Sequence, residues 1–222
     1  MSKFFEHDRG ATVGTGEMSL GARAIPGLVP EGELVASCRT GDAEAFARLV
    51  RLHEGMVLSL AARLLGEVEE ARDVAQEVFL QVYKRLSAFE GRSSLRTWIY
   101  RIAVNQCYNR RRFWHRRRRD RERPLDDAIV APALPGTSGN GASPYEETLR
   151  SERARRVQVA LLELRFEHRS VLVLREVEGL TCEEVAAALG VPEGTVKSRL
   201  SRAREAMRRK LAGLIEEAGV RS

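Results

Sequence analysis

Thr181 to Lys210 constrains this chain more than any other stretch, because both ends of two consecutive helices are chemically marked within it. Thr181 and Glu184 stand at capping-box spacing, so hydroxyl and carboxylate can each satisfy an orphan amide at a helix start. Val185 to Leu189 continue that helix, Gly190 supplies a left-handed cap, and Pro192 suits the first turn of the next helix. On a wheel of about 100° per residue, Val196, Leu200, Ala203 and Met207 fall within roughly 60° of one another and face a core. Thr195, Ser198, Ser201, Arg202 and Glu205 lie opposite, flanked by Lys197, Arg204 and Arg208 on one side and Arg199 on the other. This is a helix-turn-helix whose second helix presents hydroxyls and guanidiniums, the groups that read base edges and clamp phosphates in a major groove.

Charge supports a polyanionic partner. The 222 residues carry 37 basic and 31 acidic side chains, a net +6. Much of the excess is concentrated in Arg110–Arg123 and Lys197–Lys210, where each neutralised phosphate would release a counterion. Cys38, Cys107 and Cys182 are odd in number and widely separated, which argues against a disulfide framework or a zinc site and fits a reducing, cytoplasmic setting. Nothing approaches the roughly 18 apolar residues of a membrane span. No metal ligand set, cofactor motif or catalytic constellation is legible, so the expectation is a protein without a cofactor and without catalysis.

The rest of the chain is read as helices. Residues 1 to about 30, rich in Gly and polar residues, are expected to be a flexible extension. Glu31–Arg39 reads as a short helix, Asp42 as the N-cap of a long one broken at Gly66, and Val68–Leu86 as a third that buries Val74, Val78, Val82 and Leu86 at i+4 steps. Phe89–Ser94 reads as a loop exposing an aromatic side chain. A helix from about Leu95 to Phe113 then ends in arginines interleaved with Phe113 and Trp114, a composition suited to stacking on unpaired bases. Asp120 to Pro144 is a linker by its Pro and Gly content. Glu146–Leu164 is helical, and Val171–Leu174 fits either a strand or a helix in isolation, with helix favoured by its neighbours.

Three stretches resemble the extracytoplasmic-function sigma factors of the sigma-70 family. Asp73-Val74-Ala75-Gln76-Glu77-Val78-Phe79 resembles its region 2.2. Phe89-Glu90-Gly91-Arg92-Ser93, with Thr97 to Asn105, resembles regions 2.3 and 2.4. Glu178 to Ala186, with Pro192 to Arg199, resembles region 4.2. The resemblance implies an all-α chain of two small helical domains, a sigma-2-like bundle and a sigma-4-like helix-turn-helix domain, joined by a flexible linker. The expected boundaries are 1–30 for the extension, 31–115 and 149–213 for the domains, 116–148 for the linker and 214–222 for a tail.

It further implies binding to core RNA polymerase, at its clamp helices and flap, through Asp73, Gln76, Glu77 and Phe79. Phe89, Arg92, Ser93, Trp98, Arg101 and Asn105 would capture a flipped base and the melted strand of a minus-10 element. Thr195, Lys197, Ser198, Arg199, Ser201 and Arg202 would meet a duplex minus-35 element. An anti-sigma factor is an expected partner, and direct membrane insertion is not expected. Two other classes compete: a transcriptional activator or repressor using the same helix-turn-helix, which leaves the Asp73–Phe79 face without a role, and a DNA-processing enzyme, for which Ser93 and Ser94 lack a base or carboxylate constellation.

Overall fold

The computed structural model describes residues 30–119 and 144–219, so the expected extension, the middle of the expected linker and the last three residues lie outside the described part. Within it, α1 is Glu31–Arg39, α2 Ala43–Leu65, α3 Val68–Arg85, α4 Leu95–Arg119, α5 Pro144–Leu162, α6 Phe166–Leu172, α7 Cys182–Leu189 and α8 Glu193–Gly219. A single 3-10 turn, Leu86–Ala88, follows α3. No strand occurs among the described residues. The helices at 116–119 and 144–148 extend into the expected linker from either side.

Local chemistry sets the helix ends. Asp42 Oδ1 accepts from the Glu44 and Ala45 amides at 2.9 and 3.1 Å and starts α2, a cap worth about 1 kcal/mol. Gly66 ends α2 at φ 84°, its amide donating to Ala62 O. The α4 start is closed twice, by Ser94 Oγ accepting from the Thr97 amide and by Glu31 Oε1 of α1 accepting from the Leu95 amide at 2.8 Å. The Thr181–Glu184 capping box forms in full.

Helices α2, α3 and α4 pack together with α1 against α2, and fully buried Leu49, Leu60, Val74, Val78, Val82 and Ile99 fill the space between them. Each such side chain contributes about 1.5–3 kcal/mol of burial. Helices α6, α7 and α8 form the second group, with α5 against α8. Val171–Leu174 is helical, and just beyond α6 the coil widens so that the Glu178 amide donates to Val173 O, five residues back. All four residues of this run are buried because the segment packs against α8, α7 and α2.

From Glu31 onward the two groups meet in one compact unit. Helix α4 packs on α7, and α2 on α5 and α6. Gln158, 2% exposed, donates to Ala62 O and Arg63 O at the end of α2. Arg169, 3% exposed, donates Nε to Leu161 O at 2.8 Å and Nη2 to Leu164 O at 3.1 Å, and also bonds Leu162 O and Leu64 O. One guanidinium thus serves the negative C-terminal ends of both α2 and α5. Burial, and then the neighbouring Arg111, push its pKa down to about 10, which leaves it charged at neutral pH. Tyr108 and Phe166 rings meet at 5.5 Å, with the Arg111 guanidinium 5.6 Å from the Phe166 centroid. Gly66 lies so close to α5 that a Cβ there would sit 2.4 Å from Leu162 Cδ1.

Candidate nucleic-acid interface

A cleft of about 480 Å³ opens where the loop after α3 meets the start of α4. Phe89, Arg92, Ser93, Trp98 and Arg101 line it, together with Ala88, Glu90, Thr97 and Ala187. Five of the six residues expected at a minus-10 element are therefore brought together. Asn105 is exposed one turn beyond Arg101 on α4 and does not line the cleft. Phe89 corrects an expectation: it is 9% exposed rather than presented to solvent. Its ring leans on Trp98 at 5.2 Å with the planes 49° apart, and its carbonyl accepts from Arg39. That packing, with Gly91 turning at φ 72°, fixes the loop and leaves aromatic surface at the cleft wall.

Arg92 projects at the mouth, paired with Glu90 at 2.8 Å and 84% exposed. An ion pair so open to water contributes little and yields easily to a phosphate. Thr97 also lines the cleft, with its hydroxyl bonded to Ser94 Oγ at 2.9 Å; its i+4 step to Arg101 on α4 is the signal that would have found it. Ala187 belongs to α7, so no local pattern could have found it.

The second face is α8. Lys197, Ser198, Ser201 and Arg202 are exposed, while Thr195 and Arg199 are half-buried, as the wheel places Arg199 near the buried edge. Ser198 Oγ donates to Thr195 O at 3.0 Å, and Glu193 pairs with Lys197 at 2.7 Å, raising the ammonium above its ordinary range. Beside this face a shallow basic groove is lined by Arg175, Cys182, Lys197, Leu200, Ser201, Arg204, Glu205 and Arg208. Arg204 is anchored by Glu176 through Nε at 3.1 Å and Nη2 at 2.5 Å. Arg175 enters from the widened turn after α6 and is invisible to a reading of α8 alone.

The third face is on α3. Asp73 and Gln76 are exposed and Glu77 half-exposed, but Phe79 is 9% exposed and lies in the core, so it offers no surface to a partner. Position 79 lies with Val78 in the buried core cluster. Arg110 of α4 reaches this face and pairs with Glu70 at 2.8 Å, Glu77 at 2.5 Å and Asp73 at 3.7 Å. Sequence reading counted Arg110 only as part of a basic run; here it holds three carboxylates in place.

Residues 49–122 match the family model described as Sigma-70 region 2, and residues 154–207 that described as Sigma-70, region 4. The chain is 38% identical to the RNA polymerase sigma-H factor of Pseudomonas aeruginosa over 84% of its length and 96% of that protein's. It is 37% identical to the ECF RNA polymerase sigma-E factor of Escherichia coli, covering 82% and 94%, and 32% identical to the ECF RNA polymerase sigma factor SigW of Bacillus subtilis, covering 81% and 96%. Among solved structures, CnrH in complex with the cytosolic domain of CnrY aligns with TM-score 0.59 at 26% identity, covering 82% of this chain and 97% of that one. The sigma factor RpoE of Bartonella quintana, solved with the anti-sigma factor NepR, shares the fold with TM-score 0.61 at 24% identity, covering 77% and 98%.

Proposed function

Since the chain belongs to the extracytoplasmic-function sigma factors of the sigma-70 family, and so directs RNA polymerase to promoters at transcription initiation, we propose a division of that work among the three faces. The cleft between the Phe89 loop and α4 captures a base of the minus-10 element. Trp98 and Phe89 supply stacking surface, Ser93 and Thr97 supply hydroxyls, and Arg92 and Arg101 hold the strand's phosphates. Asn105 extends the same strip along α4. The energy of unpairing is recovered in these contacts, so melting needs no catalysis.

Helix α8 lies in the major groove of the minus-35 element, with Ser198, Ser201 and Arg202 toward base edges and Lys197 toward the backbone; half-buried Arg199 clamps a phosphate rather than reading a base. Arg175, Arg204 and Arg208 continue the backbone track. Asp73 and Glu77, both paired with Arg110, form the core-polymerase face together with Gln76. An anti-sigma factor is the expected regulator, as relatives of the same fold were solved with such partners. Among the described residues no helix is long and apolar enough to cross a membrane; because its work is on RNA polymerase, the proposed working place is the cytoplasm.

The observation that carries this assignment is the convergence of five expected residues on one cleft at the start of α4. The test is to combine the purified chain with core RNA polymerase and fragmented genomic DNA and to sequence the transcripts. New start sites sharing paired upstream elements are expected. Sequence-specific duplex binding by the chain alone, with no effect on initiation, would favour an ordinary repressor or activator instead.

A further inference from the structure

One charged cluster belongs to none of these faces. Arg63 near the end of α2 and Arg96 and Tyr100 on successive turns of α4 surround Glu178, in the turn before α7. Tyr100 Oη donates to Glu178 Oε2 at 2.7 Å, and Arg96 Nη2 donates to Glu178 O at 3.1 Å and to Tyr100 Oη at 3.1 Å. Arg63 Nε is buried without a hydrogen-bond partner, and Glu178 is the carboxylate whose charge acts on that guanidinium. The phenol holds the Glu178 carboxylate, Arg96 holds the carbonyl of the same residue and Arg63 feels its charge; two guanidiniums and a phenol are a donor set that also holds a phosphate. Arg96 and Tyr100 immediately precede Thr97 and Arg101, which line the minus-10 cleft, so the cluster runs alongside it on α4.

The anion that fills the cluster comes from the other helical group, and α7, just after it, brings Ala187 to the rim of the cleft. Elements centred ten and thirty-five base pairs upstream lie about 25 base pairs, or about 85 Å, apart at ~3.4 Å per base pair. With α7 packed on α4, one chain cannot span that distance. The two groups must part on a promoter, and parting withdraws Glu178.

We propose that Arg63, Arg96 and Tyr100 form a binding site for a backbone phosphate of the single-stranded minus-10 DNA, and that Glu178 occupies it in the free chain as an internal phosphate mimic. The closed chain thereby screens its own strand-binding surface. The identity of the anion as DNA rests on the sigma-factor reading.

The test uses the full chain and a fluorescein-labelled 20-nucleotide oligo(dT), read by anisotropy at low salt. Glu178→Gln is expected to tighten binding about 5- to 10-fold. Glu183→Gln, which removes the same charge from an exposed position in the first turn of α7, is expected to change it by about twofold or less. Adding Arg96→Gln and Tyr100→Phe to Glu178→Gln should abolish the gain. Equal effects of the two glutamate substitutions, or a gain that survives loss of Arg96 and Tyr100, would overturn the proposal.

A cross-link supplies the second measurement. A Cβ at position 66 would lie 3.2 Å from Leu162 Cγ, within reach of a disulfide from Gly66→Cys to Leu162→Cys. In the Glu178→Gln background the oxidised form should lose the gain and the reduced form recover it; tight binding by the locked chain would overturn the proposal. Initiation by the wild-type chain with core polymerase is measured separately, so failure there would sink the promoter assignment without deciding the anion site.

Discussion

Replacing Arg169 should destabilise the whole described unit, and the size of the effect follows from what its guanidinium touches. It donates to four carbonyls, Leu64, Leu161, Leu162 and Leu164. Leu161 O also accepts from the Leu164 amide, so the loss falls mainly on the other three. A buried acceptor left without a donor costs about 1–3 kcal/mol. Against this, water enters the space vacated by the head group, and removing a desolvated guanidinium relieves its own burial penalty. We expect Arg169→Met, which keeps most of the apolar stem, to lose about 3 kcal/mol. That corresponds to roughly 6–12 °C in Tm for a unit of this size. Arg169→Lys keeps the charge but gathers its donors at one point, so it cannot serve the ends of α2 and α5 together; a loss of about 1–2 kcal/mol is expected. Urea unfolding followed by far-ultraviolet circular dichroism measures both. A loss below about 0.5 kcal/mol for Arg169→Met would refute the view that this side chain joins two helix ends.

Arg202→Ala should weaken use of the cognate promoter by about 1–3 kcal/mol if the guanidinium reads a base, and an equal loss on all duplexes in a competition assay would reassign it to phosphate. Burial pushes the Cys107 thiol up to about 12 and raises that of Cys38, while Cys182 is half-exposed, so a thiol reagent at pH 8 should titrate Cys182 first and the others only on unfolding. Burial lowers the His53 pKa from 6.5, with Glu31 opposing and Arg96 assisting. Its contribution to stability is therefore present above pH 6.5 and lost as pH falls toward the depressed native value; His53→Gln should lessen the drop in urea midpoint between pH 7.5 and 5.5. Thr181→Ala removes the hydroxyl half of the capping box and should cost about 1 kcal/mol, measurable by thermal unfolding.

Helix ends were legible wherever a side chain marks them within three or four residues. Asp42, Gly66, Thr181, Glu184 and Gly190 all act as their spacing predicts, because a cap is satisfied by its own helix and needs no distant partner. Core stripes were legible for the same reason: Val74, Val78 and Val82, or Val196, Leu200 and Ala203, share a face through helical period alone. Phe89 was misplaced because an aromatic beside glycine and hydroxyls looks exposed, whereas its exposure depends on what packs over it. That includes Trp98, nine residues on; Phe79, named from the resemblance, is likewise 9% exposed among core residues.

The sequence by itself therefore determined the all-helical class and the helix-turn-helix with its basic second helix, and it named the residues proposed to meet the minus-10 and minus-35 elements. These depend on short-range periodicity, capping chemistry and motifs of a few residues. Tertiary structure alone decided which charges meet. Arg110 joins Asp73 and Glu77, Arg169 joins Leu64 to Leu161, and Tyr100 joins Glu178, across separations of 33 to 105 residues. A charge in a sequence carries no sign of its partner, since its energy depends on distance and burial, and both are set only when helices far apart in the chain pack together.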